Sequence, residues 1–87
     1  MYEVLASKTF QKQFRSSPKK VQDRIRASLK ELETDPYEPR SGADIKHIKD
    51  TKPPKHRLRV GNYRIVYRIE GNVVKIIEMF IRGRGYR

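Results

Sequence analysis

The sequence predicts an α+β fold: a helical hairpin packed on one face of a small twisted antiparallel sheet, with the other face of the sheet basic and open. Three observations lead there. Residues 55–70, KHRLRVGNYRIVYRIE, alternate apolar and basic side chains on both sides of a Gly-Asn turn; residues 18–34 repeat apolar side chains at helical spacing; residues 73–81, VVKIIEMFI, are apolar on both faces.

In chain order, residues 2–6 form a short apolar run that suits a strand. Ser7 then caps a first helix in which Phe10 and Phe14, four apart, land on one face. Ser17 is the expected N-cap of a second helix, with Pro18 in the first turn, where its missing N–H has no partner to lose. Val21, Ile25, Leu29 and Leu32 give that helix an apolar stripe among Lys, Arg, Gln and Glu. It should end near Thr34, because Asp35 precedes Pro36 and a residue before proline is pushed out of the α region. Residues 35–54 contain Pro36, Pro39, Pro53, Pro54 and Ser41-Gly42 and are expected to be loop, with only Ile45 and Ile48 buried.

The hairpin comes next. If Val60 pairs with Tyr63 across Gly61-Asn62, then Arg59 faces Arg64, Leu58 faces Ile65, Arg57 faces Val66 and His56 faces Tyr67. Period-2 alternation puts Leu58, Val60, Tyr63, Ile65, Tyr67 and Ile69 on one face, and Lys55, Arg57, Arg59, Arg64, Val66 and Arg68 on the other. Like charges directly opposite, such as Arg59 and Arg64, destabilise a sheet, so something negative is expected on that second face. Glu70-Gly71-Asn72-Val73 is another tight turn, and it leads into the strand 73–81. That strand is expected to be central. Lys75 interrupts one of its faces and Glu78 the other, so a bulge is expected near Glu78.

Residues 1–87 read as a single small domain, without repeats. A net charge of +11 makes an anionic partner the first expectation and leaves no membrane span. There is no cysteine, which removes disulfides, thiolate metal sites and cysteine nucleophiles. The start, MYEVLASKTF, lacks the basic opening and long apolar run of a secretory signal, so a cytoplasmic location is expected.

Metal-dependent nuclease chemistry needs several carboxylates or histidines around a divalent ion. This chain offers His47 and His56 as its only histidines, and Glu70 and Glu78 as the only acids of the hairpin and tail, so neither a metal nor a cofactor is expected. His56 falls on the apolar face opposite Tyr67, as a hydrogen-bonded core or edge residue. No Ser-His-Asp spacing and no phosphate-cradling glycine loop is present. What remains is a cationic surface. RNA can be cut without metal when its own 2′-hydroxyl attacks the adjacent phosphate and the protein stabilises the added negative charge, a task that suits arginine forks. Arginine carries protons poorly, so Lys55 is the candidate proton carrier on this face. Tyr86 is either a second such group or a base-stacking ring. A strip of Lys and Arg also suits a plain nucleic-acid-binding face, and a short RG tail suits a phosphate contact.

The order of these parts, a helical hairpin, then HRLRVGNYRIVYRI, then a strand closing on IRGRGYR, resembles the RelE/ParE family of toxins from type II toxin-antitoxin systems, especially archaeal RelE-like members. The likeness covers essentially the whole chain, and residues 57–67 are its most specific part. It implies a ribosome-dependent, metal-independent endoribonuclease that cleaves messenger RNA by the 2′-hydroxyl route and so stops translation. It also implies a RelB-like antitoxin that wraps and inhibits the toxin. The active-site positions it implies are Lys55, Arg57, Arg64, Arg82 and Tyr86. Arg59, Arg68, Arg84 and Arg87, on the basic strip and tail, are expected as further RNA contacts. Under strict alternation Arg82 would point to the core face, unless the bulge re-aims it. The alternatives are a ParE-like poison of DNA gyrase and a non-catalytic basic nucleic-acid-binding module. A dsRBD-like order of helix, three strands and helix does not match a chain that ends on a strand.

Overall fold

The computed structural model describes residues 1–81. Strand β1 (Glu3–Ala6) leads into helices α1 (Lys8–Arg15) and α2 (Lys19–Thr34), followed by strands β2 (Asp44–Ile48), β3 (Lys55–Val60), β4 (Tyr63–Glu70) and β5 (Val73–Ile81). The Ser7 hydroxyl accepts from the Phe10 backbone N–H at 3.0 Å, the N-cap read from the sequence. The start of α2 differs from expectation by one residue. Pro18 is its N-cap, because the Ser17 hydroxyl donates to the Gln13 carbonyl at 2.9 Å and closes α1 instead. At the other end Asp35 is extended, and its carboxylate accepts from the Tyr37 and Glu38 N–H groups, turning the chain away from the helix.

The helices cover one face of a five-stranded sheet of order β1-β5-β4-β3-β2. Ile25 and Leu32 of α2 and Phe10 of α1 meet Ile45, Leu58, Val60, Ile65, Tyr67, Val74, Ile76 and Met79 in one core, with Val21, Leu29 and Phe14 packed at its margin. Tyr67 is fully buried, and its hydroxyl donates to the Pro36 carbonyl at 2.7 Å. Burial raises the Tyr67 phenol far above its ordinary pKa, so it stays a donor.

The β3–β4 register is the expected one, from Val60↔Tyr63 to His56↔Tyr67. Only Gly61 of the turn pair takes a positive φ, +59°, with Asn62 staying negative, the pattern of a type II′ hairpin. Two features depart from the sequence reading. The sheet is mixed, because β5 lies between β4 and β1 and runs parallel to β1, while its other pairings are antiparallel. Residues 35–54 are also not all loop, since β2 pairs along β3 as an edge strand. Of β2 only Ile45 is buried and Ile48 half-buried, so its apolar signal was too sparse to stand out; the neighbouring Ala43 is buried as well.

The bulge is at Ile77. Val66 pairs with Glu78 but Tyr67 with Ile76, so β5 carries one extra residue there. Helix α1 satisfies the backbone groups this leaves over: the Ser7 N–H donates to the Ile76 carbonyl at 3.0 Å, the Ser7 hydroxyl to the Ile77 carbonyl, and the Met79 N–H to the Gln13 side-chain oxygen at 2.7 Å. Past the bulge, Met79 takes the core position that strict alternation would have given to Glu78.

Candidate nucleic-acid interface

The uncovered face of the sheet can be read row by row from the registers. One row runs Asp44, Arg59, Arg64, Phe80, and the next Lys46, Arg57, Val66, Glu78. A third brings Lys55 beside Ile48, and Arg68 beside Lys75 and Leu5. Lys55, Arg68 and Lys75 line an open cleft of about 470 Å³, together with Leu5, Ile76 and Ile77. Lys55, Arg57, Arg59, Arg64 and Arg68 therefore share one surface, as alternation requires. Arg82, Arg84, Tyr86 and Arg87 lie outside the described residues.

The cations on this face are not equivalent. Arg59 pairs with Asp44 at 3.7 Å, while Arg68 and Lys75 both reach Glu70, at 2.9 and 2.8 Å. The hydrogen bond from Lys75, with the Arg68 guanidinium close by, holds the Glu70 carboxyl below the ordinary carboxylate range. Among the described residues Lys55 and Arg57 make no ion pair, although both are half-buried. The negative charge expected opposite Arg59 and Arg64 is supplied in part by the chain itself, through Asp44 at the β2 edge. Lys46 and Asp44 were missed as members of this face because β2 was read as loop. Glu78 and Phe80 belong to it through the parity change at Ile77, which the paired blemishes at Lys75 and Glu78 had already signalled.

His56 lies on the other face, as expected. Its half-buried ring stacks on Tyr67 at 5.4 Å, with His47 at 5.2 Å and Tyr37 at 5.7 Å. Burial, and then the His47 charge, hold its pKa below the ordinary 6.5. Between the folded-state pKa and 6.5 the unfolded chain binds more protons, so this group contributes stability above pH 6.5 that is lost as pH falls through the lowered folded pKa. Replacing His56 with Phe keeps the stack and should remove that part of the pH dependence. Urea unfolding at about pH 7.5 and about pH 5.5 should show the parent losing more stability than the variant, and equal losses would mean that protonating this ring costs nothing.

Among the described residues no helix is long and apolar enough to cross a membrane, and no group of three or more His, Asp or Glu is placed to share a metal ion. Fold and site together define a small basic α+β domain with helices on one side of its sheet and an uncovered cationic face on the other. A family model described as "ParE toxin of type II toxin-antitoxin system, parDE" matches residues 2–86, and the chain belongs to this RelE/ParE family of toxins. Comparison with curated proteins gives no match. Among solved structures, the archaeal RelE-RelB complex from Pyrococcus horikoshii OT3 is similar at 31% identity and TM-score 0.82, covering 97% of this chain and 98% of that one. The RelB-RelE antitoxin-toxin complex from Methanococcus jannaschii is similar at 28% identity and TM-score 0.73, with 88% of each chain covered. The E. coli RelBE complex, at 23% identity, TM-score 0.67 and coverage of 97% and 100%, shares the fold.

Proposed function

We propose that this toxin is a metal-independent endoribonuclease of the RelE type, cutting messenger RNA on the ribosome and so stopping translation. The observation that supports this reading is the unequal pairing of the open face: Lys55, which lines the cleft, and Arg57 make no ion pair among the described residues, while Arg59, Arg68 and Lys75 are held by carboxylates. Unpaired, half-buried cations are what a phosphate can displace water from at least cost.

In the proposed reaction Arg57, Arg64 and Arg82 hold the phosphate and stabilise the added charge of the transition state. Lys55 carries a proton, and Tyr86 stacks on a substrate base. Arg59, Arg68, Arg84 and Arg87 grip flanking phosphates. A RelB-like antitoxin is the proposed inhibitor. The two archaeal relatives are complexes with RelB, and an acidic segment that folds over this +11 domain would cover the same arginines. A cytoplasmic site of action follows from this reading.

The family description names ParE, which favours one other reading, a gyrase poison that cuts no RNA. Primer-extension mapping of message ends after induction separates the two. New ends within translated codons are expected from the parent and should be lost with Arg82→Ala. No new ends, together with inhibition of supercoiling by purified gyrase, would establish the gyrase reading instead.

A further inference from the structure

The geometry points to Glu78 as the general base that removes the proton from the attacking 2′-hydroxyl, an assignment that rests on the ribonuclease reading above. Four observations carry it. Glu78 stands directly across β4 from Arg57, with the buried Val66 as the floor between them. Two strand spacings separate its backbone from that of Arg57, roughly 9.6 Å, which is room for a phosphate between the side chains. Of the carboxylates on these rows, Asp44 is held by Arg59 and Glu70 by Arg68 and Lys75, whereas Glu78, half-buried, makes no ion pair among the described residues. Its backbone is fixed on both sides, through the Ile77 carbonyl to Ser7 and the Met79 N–H to Gln13, so a base placed there is pre-positioned by helix α1.

In-line displacement at phosphorus needs nucleophile and leaving group on opposite sides, and so needs base and acid on opposite sides as well. Glu78 on β5 and Lys55 on β3 flank β4 in that way. Glu78 takes the 2′-hydroxyl proton as the O2′–P bond forms, the P–O5′ bond breaks, and O5′ takes a proton from the Lys55 ammonium. The products are a 2′,3′-cyclic phosphate and a 5′-hydroxyl end, and water returns the proton from Glu78 to Lys55.

The test is single-turnover cleavage of ribosome-bound message by the whole chain across pH, comparing the parent with Glu78→Gln, near in shape but unable to accept a proton. The expected result is a rate ~10²–10⁴-fold lower, loss of the rise in rate with pH at the acid end, unchanged ribosome binding, and partial rescue of Glu78→Ala by added formate. A message whose leaving oxygen is replaced by sulfur needs no acid, and the Glu78→Gln deficit should persist on it; a deficit that vanishes there would make Glu78 the acid and overturn the assignment. Cleavage by Glu78→Gln within about three-fold of the parent, with the same pH profile, overturns the assignment and leaves the ribonuclease reading standing. A parent chain that cuts nothing overturns both.

Discussion

Replacing Arg57 with alanine is expected to slow cleavage of ribosome-bound message by ~10²–10³-fold, the loss typical of removing one preorganised donor from a developing negative charge. The side chain is half-buried on the open face and holds no carboxylate among the described residues, so its removal breaks no ion pair there. Stability should therefore change by no more than about 0.5 kcal/mol. Arg57→Lys keeps the charge and loses the two-point fork, and should fall between parent and alanine. The contrast with Arg59 sharpens the expectation. Arg59 is more exposed and already faces Asp44, so Arg59→Ala should weaken binding in a salt-dependent way and spare the cleavage step. Equal effects at the two positions, measured as single-turnover rates, would mean that the open face binds phosphate diffusely and has no centre.

The largest expected loss of stability is at Leu58. It sits in the middle of β3, fully buried, between its cross-strand partners Ile45 and Ile65, both buried as well. Leu58→Ala removes three carbons from a core closed on one side by α2, and should destabilise by about 2–5 kcal/mol. Against a typical domain stability of about 5–15 kcal/mol, that is a large fraction of the total. Urea unfolding measures it, and a loss below about 1 kcal/mol would show that the helices settle into the gap.

Much of the fold was legible because its signals are local. The Gly61-Asn62 turn and strict alternation over residues 55–69 leave one register that buries Leu58, Ile65 and Tyr67 together, and the structure has that register. The stripe of α2 and the Ser7 cap were legible for the same reason. Strand β2 was not, since an edge strand that buries little more than Ile45 reads like polar loop until β3 is beside it. The parallel pairing of β1 with β5 joins residues some seventy positions apart (Glu3↔Val73), and no local pattern encodes such a contact. In the site, the shared face of Lys55, Arg57, Arg59, Arg64 and Arg68 followed from alternation. The pairing of Arg59 did not, because Asp44 reaches it from β2, whereas Glu70 stands only two residues from Arg68 on the same strand.

By itself, then, the order of residues determined the two helices, the central hairpin and the segregation of positive charge to one side of it, since each depends on spacing within a few residues. Only the tertiary structure decided which strand closes the far edge, which cations are left for a ligand, and where Glu78 points. The last of these hangs on a single inserted residue in β5, whose spare backbone groups need Ser7 and Gln13 of a distant helix to satisfy them.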